Sequence, residues 1–105
     1  MRLGTPVAVS GLDAEHAAER RVLEQALCAH STRWAEWIAT LSEAQLNGTL
    51  CYANMSGAGF EQPLAALLLH VFNHGTHHRG QISAATTACG LEAPGMDLIW
   101  YLQRP

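Results

Sequence analysis

The stretch "PLAALLLHVFNHGTHHRGQISAATTAC", residues 63–89, decides the fold class. Its apolar residues recur at steps of three and four, the spacing that lines one face of a helix. Pro63 suits the first helical position, where its missing N–H costs nothing, and Gly90 suits the position just past the last turn. A single long helix is therefore expected here.

Upstream, "GTLCYANMSGAGFEQP" (residues 48–63) reads as a loop or a weak hairpin. Leu50 to Ala53 has the composition of a short extended piece, and Asn54 to Gly59 is turn-like. Before it, residues 11–46 read as one further long helix with Asp13 as N-cap, rich inside in Ala, Glu, Leu and Arg. Leu23, Ala26, Leu27, His30, Trp34, Trp37, Ile38 and Leu41 form its apolar stripe. Polar Ser42, Glu43 and Gln45 close it, ahead of Asn47-Gly48, and residues 1–11 are an irregular lead. Downstream, "LEAPGMD" connects to a short terminal helix, "LIWYLQ", with Asp97 as its cap. The expected fold class is all-α, with two long antiparallel helices and a short C-terminal one, in a single domain over residues 1–105.

Composition narrows the function classes. Hydrophobic residues make up 49% of the 105 and charged ones 14%, which suits a compact fold whose thin margin of burial oligomerisation often supplements. Nine acidic against six basic side chains, net -3, argue against a nucleic-acid partner, which selects a basic patch. Cys28, Cys51 and Cys89 are odd in number and widely spaced, so neither a disulfide framework nor a thiolate zinc site is expected. Reduced thiols packed as small apolar groups in a cytoplasmic protein is the expectation. No signal-peptide pattern opens the chain, and no apolar run approaches the ~20 residues of a membrane span.

Chemistry concentrates in "HVFNHGTHHRGQ", residues 70–81, which holds four of the six histidines. At about 100° per residue and with His70 at zero, Leu67 and Ala85 fall at about 60°, Val71 at about 100°, and Leu64 and Ile82 at about 120°. On the same wheel His78 falls at about 80° and His74 at about 40°, so this pair is aimed most nearly at the expected buried arc. Residues i and i+4 stack at ~5–6 Å on one face, where two imidazoles can converge on one metal ion. His70 and His78 are about 12 Å apart along the axis, too far for one ion to take the whole stripe. His70, His77 and Gln81 can orient the ligands. A partly buried polar patch with satisfied hydrogen bonds and no ion is the competing reading.

Other groups speak less clearly. His30 lies on the apolar face of the first helix, as either a satisfied interior histidine or a third ligand. His16 reads as solvated, and Trp34, Trp37 and Ile38 read as core or interface. Arg79 is expected to pair with a carboxylate and Gly80 to admit a neighbouring helix. No Ser-His-Asp order, phosphate loop or paired-carboxylate pattern stands out.

The histidine stretch, followed by Gly90, Pro94, Asp97, Leu98, Tyr101 and Leu102, resembles the C-terminal half of DinB-family proteins from about Arg33 onward. These are four-helix bundles related to thiol-dependent transferases and isomerases. The resemblance implies a bundle, frequent homodimers, and a divalent metal, zinc or nickel, held by three histidines. Two of these belong to an HxxxH pair that maps onto His74 and His78. The family's first helices carry the third histidine, and the resemblance sets this chain's start near the family's third helix, so no position here matches that ligand. A half bundle completed by a second copy follows. Two functions of different class are then expected: a metal-dependent enzyme in which the ion activates water or a small thiol cosubstrate, or a non-catalytic metal-binding or structural homodimer.

Overall fold

In the computed structural model, residues 8–103 are described; they form α1 (Arg20–Ala39), α2 (Glu43–Leu46), β1 (Thr49–Ala53), β2 (Gly59–Pro63), α3 (Leu64–Ala88) and α4 (Leu98–Leu102). Of the irregular lead expected over residues 1–11, the first seven lie outside the described residues. The chain divides into two compact units, Met1–Leu64 and Ala65–Pro105.

The all-α expectation is overturned by a two-stranded antiparallel sheet in the first unit, which makes the fold mixed α/β with a large helical share. Its register pairs Thr49 with Pro63, Leu50 with Gln62, Cys51 with Glu61, Tyr52 with Phe60, and Ala53 with Gly59. The Asn54 carboxamide organises the turn: its Oδ1 accepts from Ser56 N–H at 3.0 Å, Ser56 Oγ–H at 2.7 Å and Ala58 N–H at 3.0 Å. Gly57 takes φ 83°, a left-handed conformation that a side chain would strain. Tyr52 and Phe60 then stack across the strands, ring centroids 5.6 Å apart. Such cross-strand aromatic pairs contribute roughly 0.2–1 kcal/mol, enough to tip a marginal hairpin when the turn is already set. Pro63, expected to open the helix, instead ends β2. Leu64 N–H donates to Gly48 C=O at 2.9 Å, which closes the base of the hairpin where α3 begins.

The first long helix is shorter than its sequence pattern. It starts after Glu19, with no side-chain cap, so Asp13 is not the N-cap. Before Val22 the helix formers are alanines and charged residues, which offer no apolar face to bury, and propensity alone does not hold a short helix. At the other end Thr40 Oγ1 donates to Trp37 C=O at 2.6 Å, and Leu41 N–H reaches back to Ile38 C=O. Ser42, Glu43 and Gln45 do not close α1 but open α2: Ser42 and Gln45 form a reciprocal capping box.

In the second unit α3 ends as expected. Gly90 takes φ 76°, its N–H donates to Thr87 C=O, and Leu91 N–H donates to Thr86 C=O. This is a Schellman stop, which satisfies two carbonyls that the helix leaves open. Asp97 precedes α4 in extended conformation, at the expected cap position but without a side-chain bond.

Leu64, 1% exposed, is the fully buried hydrophobic residue among those described. Leu67 and Leu68 are half-buried, while Leu23, Leu27, Val71 and Ile82 are exposed. Cys28, Cys51 and Cys89 are free thiols and exposed, not packed inside as expected. No helix among the described residues is long and apolar enough to cross a membrane.

Candidate metal centre

All four clustered histidines lie on α3. The helix rise puts His74 and His78 one turn apart, and their Nε2 atoms approach to 3.0 Å. The two rings meet edge to face, centroids 4.6 Å apart. His78 Nδ1–H donates to Gln81 Oε1 at 2.8 Å. In the neutral ring that bond fixes the tautomer and leaves the lone pair on Nε2, which accepts from His74 Nε2–H. Of the three groups expected to orient the pair, Gln81 does so by hydrogen bond. His70 and His77 act differently, stacking near-parallel on His74 with centroids at 5.6 Å and 5.7 Å.

Both imidazoles of the pair are exposed, contrary to the inward-facing arc expected from the helical wheel. The positions on α3 that are at least half-covered are Leu64, Leu67, Leu68, Gly75, Ser83 and Thr86. The wheel assigned the buried face by apolar residues alone, whereas small Gly75, Ser83 and Thr86 line the covered side. The crowd of rings nevertheless acts on His74. Its pKa lies below the ordinary histidine value, first through lost hydration and then through repulsion from His78, His70 and His77. A neutral His74 is the form that can ligate.

Arg79 does not pair with a carboxylate; its Nη2–H donates to Thr76 Oγ1 at 2.7 Å, one turn back on the same helix. That local bond was open to sequence reasoning, since Thr76 and Arg79 stand three apart. Gly80 has open space where a side chain would be. His30 is an exposed residue of α1 in the first unit.

Two neutral imidazole nitrogens suit a borderline-soft divalent ion. Their 3.0 Å separation is close to the about 3.3 Å that two nitrogens keep in tetrahedral coordination at a zinc–nitrogen distance of about 2.0–2.1 Å. The pair therefore fits as half a coordination shell. Among the described residues no group of three or more His, Cys, Asp or Glu is placed to hold an ion.

A family model described as "DinB family" matches residues 10–104, which reaches further toward the N-terminus than a resemblance starting near Arg33. Protein DinB of Bacillus subtilis (strain 168) is 40% identical over 58 residues, covering 55% of this chain and 34% of that protein. The match thus spans about a third of the length of that curated relative. No solved structure matches.

Proposed function

This chain belongs to the DinB family, and on that premise we propose that it binds a divalent metal ion, zinc or nickel, through Nε2 of His74 and His78. The observation that carries the reading is the 3.0 Å approach of the two Nε2 atoms, with the far nitrogen of His78 held by Gln81. Such an ion, when bound, lowers the pKa of a coordinated water or thiol. The chain's own part is to present the His78 Nε2 lone pair in one ring orientation and, when the neutral His74 ring carries its proton on Nδ1 instead, a second lone pair on His74 Nε2. In the catalytic form of this reading, small thiols or waters are the remaining ligands, and the protein is a cytoplasmic thiol transferase or hydrolase.

The test is metal content by mass spectrometry on protein purified without a histidine tag. Stoichiometric zinc or nickel is expected, and its loss when both His74 and His78 become alanine. A double variant that keeps its metal overturns the assignment. A screen for thiol transfer on the loaded protein then decides catalysis.

A second reading, a non-catalytic metal-binding homodimer, is favoured by a separate observation. The described residues supply two ligands and not three, while Leu27 and Ile82 stand 70% and 60% exposed on the long helices. The partner in this reading is a second copy of the chain, which covers such side chains.

A further inference from the structure

Asn47 and Gly48 join α2 to β1, and the pair carries a reaction of its own. Asparagine is chemically labile because the main-chain nitrogen of the next residue can attack its side-chain carbonyl carbon. A glycine in that next position leaves the nitrogen unhindered. Asn47 is exposed, so water reaches its carboxamide. The fold itself favours the glycine: a Cβ at position 48 would stand 3.3 Å from the main-chain oxygens of both Ala44 and Gln45. The close approach that turns α2 into β1 therefore also installs the labile pair.

The native backbone opposes the reaction. Asn47 has ψ -6°, which turns the Gly48 nitrogen toward Asn47's own nitrogen and away from its Cβ. Ring closure needs that nitrogen on the Cβ side, within bonding reach of Cγ. Two hydrogen bonds hold the peptide where it is. Gly48 N–H donates to Gln45 C=O at 3.1 Å, and Gly48 C=O accepts from Leu64 N–H at 2.9 Å. Leu64 is 1% exposed, so the second bond is anchored on the buried residue at the base of the hairpin. Rotation about the Asn47 ψ bond breaks the first bond and displaces the second.

We propose that Asn47 is a site of spontaneous covalent modification, which the folded chain suppresses and which opening of the hairpin base releases. The Gly48 nitrogen bonds to Asn47 Cγ and gives up its proton, while the side-chain nitrogen leaves as ammonia, so that a cyclic imide forms. Water then opens the imide with no change of oxidation state. Breaking the new N–Cγ bond gives aspartate at position 47. Breaking the original N–C bond gives isoaspartate, with the main chain running through Cγ. Isoaspartate adds a methylene group to the main chain between the Gln45 and Leu64 bonds, so the two no longer fit their native spacing. A transient opening is thereby made permanent.

Peptide mapping by mass spectrometry, after warm incubation of the full chain with and without guanidinium chloride, reads the amide-to-acid conversion at each asparagine. Conversion at Asn47 is expected in denaturant, and slower by roughly tenfold or more in the native chain, as for any step that waits on local opening. Asn54→Ala removes the hydrogen bonds of the turn at the far end of the hairpin and leaves Asn47 and Gly48 as they are. It should raise the rate in native buffer by roughly tenfold, in keeping with the hydrogen bonding it removes. No conversion at Asn47 in denaturant overturns the site. Equal rates with and without denaturant overturn the protection by the fold. A folded Asn54→Ala variant that converts no faster overturns the link to the hairpin. If that variant does not fold, the comparison of native with denatured chain decides alone.

Discussion

At the scale of single residues, Gln81 and His74 make opposite contributions to the same pair. Gln81 accepts from His78 Nδ1–H and so selects which nitrogen can ligate. Gln81→Ala should leave the fold intact and weaken zinc binding about 10–100-fold, the usual effect of removing an orienting partner. Equal affinity in calorimetry would mean that the ring is oriented by something else. His74 is tuned by its neighbours, with a pKa below the ordinary value. As pH falls below about 6.5, the unfolded chain takes up that proton before the folded one does. The ring thus contributes stability at higher pH, and that contribution is lost as pH falls through its lowered value. An NMR titration should place the His74 midpoint below about 6.5, and a midpoint at or above it contradicts the clustered geometry. His77 touches the pair through ring contacts, near-parallel on His74 and edge to face with His78, so His77→Ala should reduce metal binding modestly.

At the scale of elements, local chemistry was legible where one residue type has one use. Gly90 stops α3 because only glycine takes φ 76° without strain, and Gly90→Ala should cost about 1 kcal/mol, measurable by thermal unfolding. The hairpin was under-read for a physical reason. Thr49 to Tyr52 carries strand propensity, but the decisive term is Asn54, whose carboxamide gathers three donors that a composition-based reading does not distinguish from any turn residue. Asn54→Ala should open the turn and remove roughly 1–2 kcal/mol, with loss of the Tyr52–Phe60 stacking signal in near-ultraviolet dichroism. An unchanged signal would show that the strands set the turn and not the reverse. The α1–α2 break has a similar origin. Ser42 and Gln45 look like a helix end in a row of helix formers, yet their spacing of three is that of a capping box. At the site, the i,i+4 pair was legible from spacing, while the face it occupies was not. Covered Gly75, Ser83 and Thr86 are too small to register in an apolar period.

At the scale of the whole molecule, the exposed apolar residues of α1 set the expectation. Leu23, Leu27 and Trp34 are exposed, and Trp34 and Trp37 pack edge to face, centroids 5.5 Å apart. Replacing both tryptophans with glutamate should give chains that are unfolded or aggregated, since a domain this size has little burial to spare. A stable, well-folded monomer of 11.4 kDa at micromolar concentration, seen by sedimentation equilibrium for the native chain, would contradict the proposed homodimer.

The bond from Leu64 N–H to Gly48 C=O also bears on how fast the chain organises. It closes a loop of short sequence separation whose strands, turn and aromatic pair are all local. Hairpins of this kind form in about 1–10 μs, earlier than contacts between distant segments, because little loop entropy has to be spent. Residues 48–64 are then expected to gain their native pairing before contacts between distant segments form, and α3 starts from the residue that seals the hairpin. In a kinetic experiment, substitutions at Asn54 or Phe60 should slow folding by nearly their full equilibrium cost. Those at Ile82 or Trp34 should instead speed unfolding. Early closure also withdraws a pair of five-residue edges from intermolecular pairing while the longer helices are still finding their partners.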